Sequence, residues 1–88
     1  MGVYMTDDIN TKNHLIHYKV DDEPESTNEK VLTPVQIMTG AEIDAQSNYL
    51  EQIVGHDLIS YKATPNVEIE MKNGMRFITK PIGPMPVS

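Results

Sequence analysis

Residues Val67 to Gly83, VEIEMKNGMRFITKPIG, constrain the fold more than any other stretch of the chain. Val67, Ile69 and Met71 alternate with Glu68 and Glu70, the period-2 pattern of a strand with one buried and one wet face. Asn73-Gly74 follows, a dipeptide that tolerates the positive φ values of a tight type I′ turn. Met75 to Thr79 then returns along the first run, which predicts a closing β-hairpin. Pro81, Gly83, Pro84 and Pro86 end regular structure and leave a tail over residues 81–88.

A chain of 88 residues has room for one domain with a modest core. Met1 to Asn13 lacks sustained periodicity and reads as a loose N-terminal extension, so the domain is expected over residues 14–80. Gly2 with Thr6 fits the short myristoylation pattern, but nothing basic follows to add a second membrane signal. No run approaches the ~20 apolar residues of a membrane span, and no signal peptide is visible. The expectation is a soluble, cytoplasmic protein without membrane contact. Cysteine is absent, which removes disulfides, thiolate zinc sites and cysteine nucleophiles together. A net charge of −6 argues against binding nucleic acid through its phosphates.

In chain order, His14 to Val20 predicts a first strand with Ile16, Tyr18 and Val20 inward. Asp21 to Lys30 is polar, acidic and broken by Pro24, which predicts a loop. Val31 to Met38 resumes strand character, with Pro34 placing it at an edge or a bulge. Thr39 with Glu42 three residues on forms a capping box, so a short helix is expected over residues 40–48, packing Ile43 on a sheet with Ile16, Tyr18, Val67 and Ile69. Tyr49 to Val54 predicts a third strand. His56 to Tyr61 predicts a short strand or turn tucked under the sheet, and Ala63 to Asn66 a turn. A short helix laid across one face of a small mixed sheet is an α+β arrangement. With the first and last strands central and parallel, it is a β-grasp.

Three segments carry a resemblance: Tyr18-Lys19-Val20-Asp21-Asp22, Ile37-Met38-Thr39-Gly40-Ala41-Glu42-Ile43 and Arg76-Phe77-Ile78-Thr79. They resemble the prokaryotic multiubiquitin-type domains over residues 14–83. The resemblance implies a ubiquitin-like β-grasp fold and a modifier that is itself not an enzyme. Its C-terminal carboxylate would be adenylated by an E1-like enzyme, passed to a thiol and joined to an amine, with an E2-like enzyme and a deubiquitinase-like peptidase as further partners. A reactive tail must enter an enzyme's active site, so it needs little side-chain bulk and a free backbone, which glycine provides. Gly83 is the candidate conjugation or processing residue. It stands alone rather than in a Gly-Gly pair, with Pro84-Met85-Pro86-Val87-Ser88 after it. Three possibilities follow: a peptidase removes those residues, Ser88 itself is activated, or the domain is not conjugated. In the last case it is an acidic interaction or assembly module that uses an exposed strand edge, and self-assembly is possible.

Other chemistry is weakly marked. His14 and His17, three apart in a strand, point to opposite faces and cannot share a metal. Glu68 and Glu70 share a face, as paired catalytic carboxylates do, but also read as the wet side of a strand. No phosphate-binding loop or nucleophilic triad is present, so no catalytic residue, metal or cofactor is expected. A two-residue turn at Asn73-Gly74 would put Met75 and Phe77 on the face opposite Val67 and Ile69, an exposed apolar patch. A one-residue bulge would return Phe77 to the core. Met75, Phe77 and Ile53 are the candidate partner-binding residues.

Overall fold

The structure, a computed structural model, describes residues 15–83. The elements are β1 (Ile16–Val20), β2 (Glu23–Thr27), β3 (Val31–Leu32), α1 (Pro34–Gly40), β4 (Asn48–Val54), β5 (Asp57–Ser60), β6 (Ile69–Glu70) and β7 (Met75–Pro81). Five strands form a mixed sheet in the order β2-β1-β7-β4-β5, and β3 pairs with β6 in a separate two-stranded sheet. The central strands β1 and β7 are parallel, with Val20 beside Phe77, while β4 runs antiparallel to β7 with Gln52 beside Phe77. This is a small α+β domain with one short helix against one face of the sheet. The expected extension over residues 1–13, together with His14 and the tail from Pro84 onward, lies outside the described residues.

The core is built by alternation. Tyr18 and Val20 of β1, Leu50 of β4 and Phe77 of β7 point to one face, where Ile37 and Met38 of α1 meet them. All are buried, and the Tyr18 and Phe77 rings meet edge to face at 6.0 Å between centroids. Ile69 and Met71 close the core from the far side of the crossover.

Five local expectations are corrected. Asp21-Lys30 is not a loop: Asp21 and Asp22 take φ values of 52° and 68°, turning the chain in two residues into β2. Aspartate tolerates that left-handed region because its short side chain finds local hydrogen bonds. Here the Asp21 carboxylate accepts from the Thr79 N–H (2.9 Å) and hydroxyl (2.6 Å), fastening the turn to β7. Val31–Met38 is a strand for two residues only. Thr33 caps a helix that starts at Pro34: its hydroxyl accepts from the Gln36 N–H (3.1 Å), and the Gln36 side chain accepts from the Thr33 N–H (2.9 Å). Pro34 therefore occupies the first helical position, where its missing N–H costs nothing.

The expected helix over residues 40–48 is absent, because the helix ends at Gly40. Glu42, expected to complete a capping box, has φ 62° and terminates the helix. Glu42 N–H donates to Thr39 C=O (3.0 Å) and Ile43 N–H to Met38 C=O (2.8 Å), the paired bonds of a Schellman stop. Ile43 still packs beside the core, from the loop rather than the helix, whereas Val67 is 40% exposed.

The closing hairpin is the fourth correction. The 67–71 run contributes only β6, whose partner is β3, so β6 and β7 lie in different sheets. Asn73 and Gly74 serve β1 instead. Asn73 Oδ1 accepts from the His17 N–H, and the Gly74 N–H donates to the His17 carbonyl, both at 2.8 Å. Gly74 does take a positive φ, 88°. The segment around His56 to Tyr61 becomes β5, an exposed outer strand rather than one tucked under the sheet.

The two helix ends generate a pair of expectations. Thr33→Ala should lower stability by about 1 kcal/mol in urea unfolding, while Thr39→Ala, in the exposed last turn, should change it by less than about 0.5 kcal/mol. Glu42→Gly should raise stability by up to about 1 kcal/mol by relieving the left-handed backbone; a loss of stability there would contradict the stop described.

Candidate docking face and tail exit

The sheet face opposite α1 is uncovered by any described element. The register brings His17 and Lys19 of β1, Arg76, Ile78 and Lys80 of β7, Tyr49, Glu51 and Ile53 of β4, and Leu58 of β5 onto it. Ile53 stands beside Leu58 on one side and Arg76 on the other, and Ile78 beside Glu51. Leu58 is exposed, Ile53 and Ile78 are half-buried, and together they make an apolar centre.

Cations surround that centre. Lys19 and Arg76 lie side by side across the parallel pair, lining an open groove of about 370 Å³ with His17, Pro24 and Glu25. Lys62 Nζ sits 5.4 Å from the centroid of the Tyr49 ring, a cation–π contact. Glu51 is the one carboxylate that the five strands put on this face. It is 8% exposed, with Oε1 at 3.2 Å from Lys80 Nζ. Among the described residues that oxygen accepts no hydrogen bond, so the ion pair is what compensates its burial. The face is therefore positive on a chain whose net charge is −6, and it suits an acidic partner better than the rest of the surface does.

The last strand delivers the tail at one corner of this sheet. Beyond Pro81, the Ile82 N–H donates to the Ser47 carbonyl (2.9 Å), and exposed Gly83 takes φ 69°. Asp44 organises the loop that presents Ser47. Its carboxylate accepts from the Gln46 N–H (2.9 Å) and the Ser47 hydroxyl (2.8 Å), and its carbonyl accepts from Asn48 Nδ2 (3.0 Å). The backbone bond from Gln46, then that from the Ser47 hydroxyl, holds the Asp44 carboxyl below the ordinary carboxylate value. On the core side, burial pushes the Tyr18 and Tyr61 hydroxyls up, with the Glu25 charge adding to the rise at Tyr18. Tyr61 donates to Gln52 Oε1 at 2.9 Å.

Of the candidate partner-binding residues, Ile53 alone is on the open face. Phe77 is 1% exposed and belongs to the core, the second of the two placements open to it, so the apolar patch that a two-residue turn would expose does not form. The reason is register: with no hairpin at Asn73-Gly74, β7 takes its facing from β1 and β4, and these put Phe77 beside Val20 and Gln52. Met75 is half-buried against the same core, and its sulfur accepts from the Lys72 N–H at 3.1 Å. Lys19, Arg76, Lys80, Ile78 and Leu58 were not singled out from the sequence. Alternation within β1 and β7 pointed to an outward face, but only the strand order joins its halves.

Among the described residues, no three His, Cys, Asp or Glu side chains are grouped to hold a metal ion. No helix among them is long and apolar enough to cross a membrane. No family model matches the chain, and neither a curated protein nor a solved structure shows significant similarity to it.

The ion pair yields a directional expectation. Lys80→Met, which strands a buried carboxylate, should cost about 1–2 kcal/mol in thermal or urea unfolding. The double substitution Glu51→Leu with Lys80→Met should recover most of that loss, since removing both partners removes the uncompensated charge.

Proposed function

We propose that this domain is a ubiquitin-like β-grasp and that it acts as a protein modifier of a bacterial conjugation system. The observation that carries the reading is the topology of the last strand. It runs parallel to the first strand at the centre of a mixed sheet, with α1 across one face, and it ends in an exposed segment at Gly83. That arrangement supports a role in which a rigid body presents an accessible C-terminal end. The positive φ at Gly83, 69°, favours a residue without a side chain at the exit.

In this role the domain contributes no catalytic group. An E1-like enzyme activates the terminal carboxylate: a carboxylate oxygen attacks the α-phosphorus of ATP and pyrophosphate leaves. A thiol of the E1-like and then of an E2-like enzyme takes the acyl group, releasing AMP, and a target amine displaces the thiol. A deubiquitinase-like peptidase removes the residues after Gly83 or releases the conjugate. The open face, with Ile53, Ile78 and Leu58 ringed by Lys19, Arg76 and Lys80, supplies the docking surface for acidic partners. The setting is cytoplasmic, without nucleic acid or membrane.

The test is activation in vitro. With ATP and an E1-like enzyme from the same source, a chain truncated after Gly83 should support ATP–pyrophosphate exchange and give a thioester adduct in intact-mass analysis. Gly83→Phe in the truncated chain should abolish both while the melting temperature stays the same. If the chain ending at Ser88 is activated equally well, processing is not required. If neither form yields an adduct, conjugation is rejected.

A further inference from the structure

We infer that β5 is an assembly edge, at which a second copy of this chain adds antiparallel about a two-fold axis at Ile59. The inference stands apart from the modifier reading and rests on how differently the two edges of the five-stranded sheet are finished.

At the β2 edge, the two-residue turn makes Val20 and Glu23 a hydrogen-bonded pair. The ladder alternates, so Pro24 and Ser26 are the residues whose backbone groups face outward. Pro24 has no N–H to offer. Five carboxylates, on Asp21, Asp22, Glu23, Glu25 and Glu29, crowd the same segment. Proline and like charges are how natural sheets close an edge to further strands.

The β5 edge has no proline, and its one carboxylate, Asp57, stands at the turn end of the strand. The Tyr61 N–H donates to the Leu50 carbonyl at 2.9 Å, in line with the register that pairs Gln52 with Ile59. By alternation, Leu58 and Ser60 direct their N–H and C=O groups away from β4. No charge and no proline interrupts Leu58–Ser60. Leu58 is 53% and Ile59 42% exposed, on opposite faces of the sheet, with Val54 44% exposed beside them.

Self-pairing has one register that uses both outward residues within the strand: Leu58 opposite Ser60 of the second copy, and Ser60 opposite its Leu58. This gives four N–H···O bonds and leaves Ile59 facing its own symmetry mate in the close, non-hydrogen-bonded pair. A shift by two residues carries one of the outward pairs off the strand. In the symmetric register Asp57 falls opposite Tyr61 and His56 opposite Lys62, so no two carboxylates meet. The acidic β2 edges lie at the far ends of the resulting ten-stranded sheet, which minimises repulsion between two chains of net charge −6. Both open faces then lie on one side of that sheet. Four residues are a short edge, so the dissociation constant should be on the order of 100 μM, the weak end of specific association.

The experiment is sedimentation velocity on the full chain from about 10 μM to about 1 mM, with amide NMR spectra over the same range. The apparent mass should rise from 9.9 kDa toward twice that value, and the amides of Leu58 and Ser60 should shift with concentration while that of Ser26 stays fixed. Ile59→Lys, at a half-exposed position that tolerates the change, should remain monomeric with an unchanged circular dichroism spectrum. A wild-type chain still monomeric at the top concentration overturns the proposal. So does an Ile59→Lys variant that dimerises as well as wild type, or a concentration-dependent shift that maps away from residues 58–60. Should the variant fail to fold, the wild-type amide shifts alone decide.

Discussion

Phe77 stands beside Val20 on one side and Gln52 on the other, in the middle strand of the five. Two strands that run parallel cannot be joined by a tight turn. Once β7 lies parallel to β1, everything between them must travel as a long crossover, and α1, the β4–β5 hairpin and the small second sheet are all parts of it. Burial of Phe77 at 1% exposure, with the edge-to-face contact to Tyr18, makes that parallel pairing the step on which the other elements depend. The Asp21–Thr79 bonds and the Asn73–His17 bond fasten β7 to β1 near its two ends.

The same constraint separates the two faces of the sheet. One face is closed by α1 and the crossover; the other has nothing described above it. On the second, Glu51 is buried, and the ion pair with Lys80 offsets that burial. The second face gathers Lys19, Arg76 and Lys80 on a chain that is acidic overall, while five of the thirteen carboxylates lie in the 21–29 segment at the β2 edge. Charge is thus sorted by the strand order: acid at one edge, base on the open face, and an uncharged Leu58–Ser60 stretch at the other edge. Sorting of this kind gives a small domain several distinct surfaces from one layer of strands.

Two turns place carboxylate residues in the left-handed region, Asp21 with Asp22 and, separately, Glu42. The first makes a hairpin where a loop is expected, and the second ends the helix where one is expected to begin. Turn chemistry is most legible at glycine and Asn-Gly pairs, and neither Asp21-Asp22 nor Glu42 carries that signal. At Asp21 the strain is offset by the bonds to Thr79, fifty-eight positions away in sequence, a partner no local rule supplies. At Glu42 the Schellman bonds and the Ile43 contact with the core hold the backbone.

The sequence by itself determined the periodic elements. Inward Tyr18 and Val20, a strand over Tyr49 to Val54, a strand from Met75 and the end of regular structure near Pro81 all follow from alternation and from glycine and proline, which act within a few residues. Capping chemistry was equally legible as a type, but the sequence holds two candidate boxes, Thr33-Gln36 and Thr39-Glu42. Choosing between them required knowing that Ile37 and Met38 must face the sheet. Tertiary structure alone decided which strands are neighbours, and with that the fate of Phe77 and the content of the open face. A period-2 pattern says that a strand has two sides; it carries no information on which side a distant strand will cover. That choice belongs to the pairing of β1 with β7 across more than fifty intervening residues, where burial of the whole set at once outweighs the local preference of Asn73-Gly74 for a hairpin.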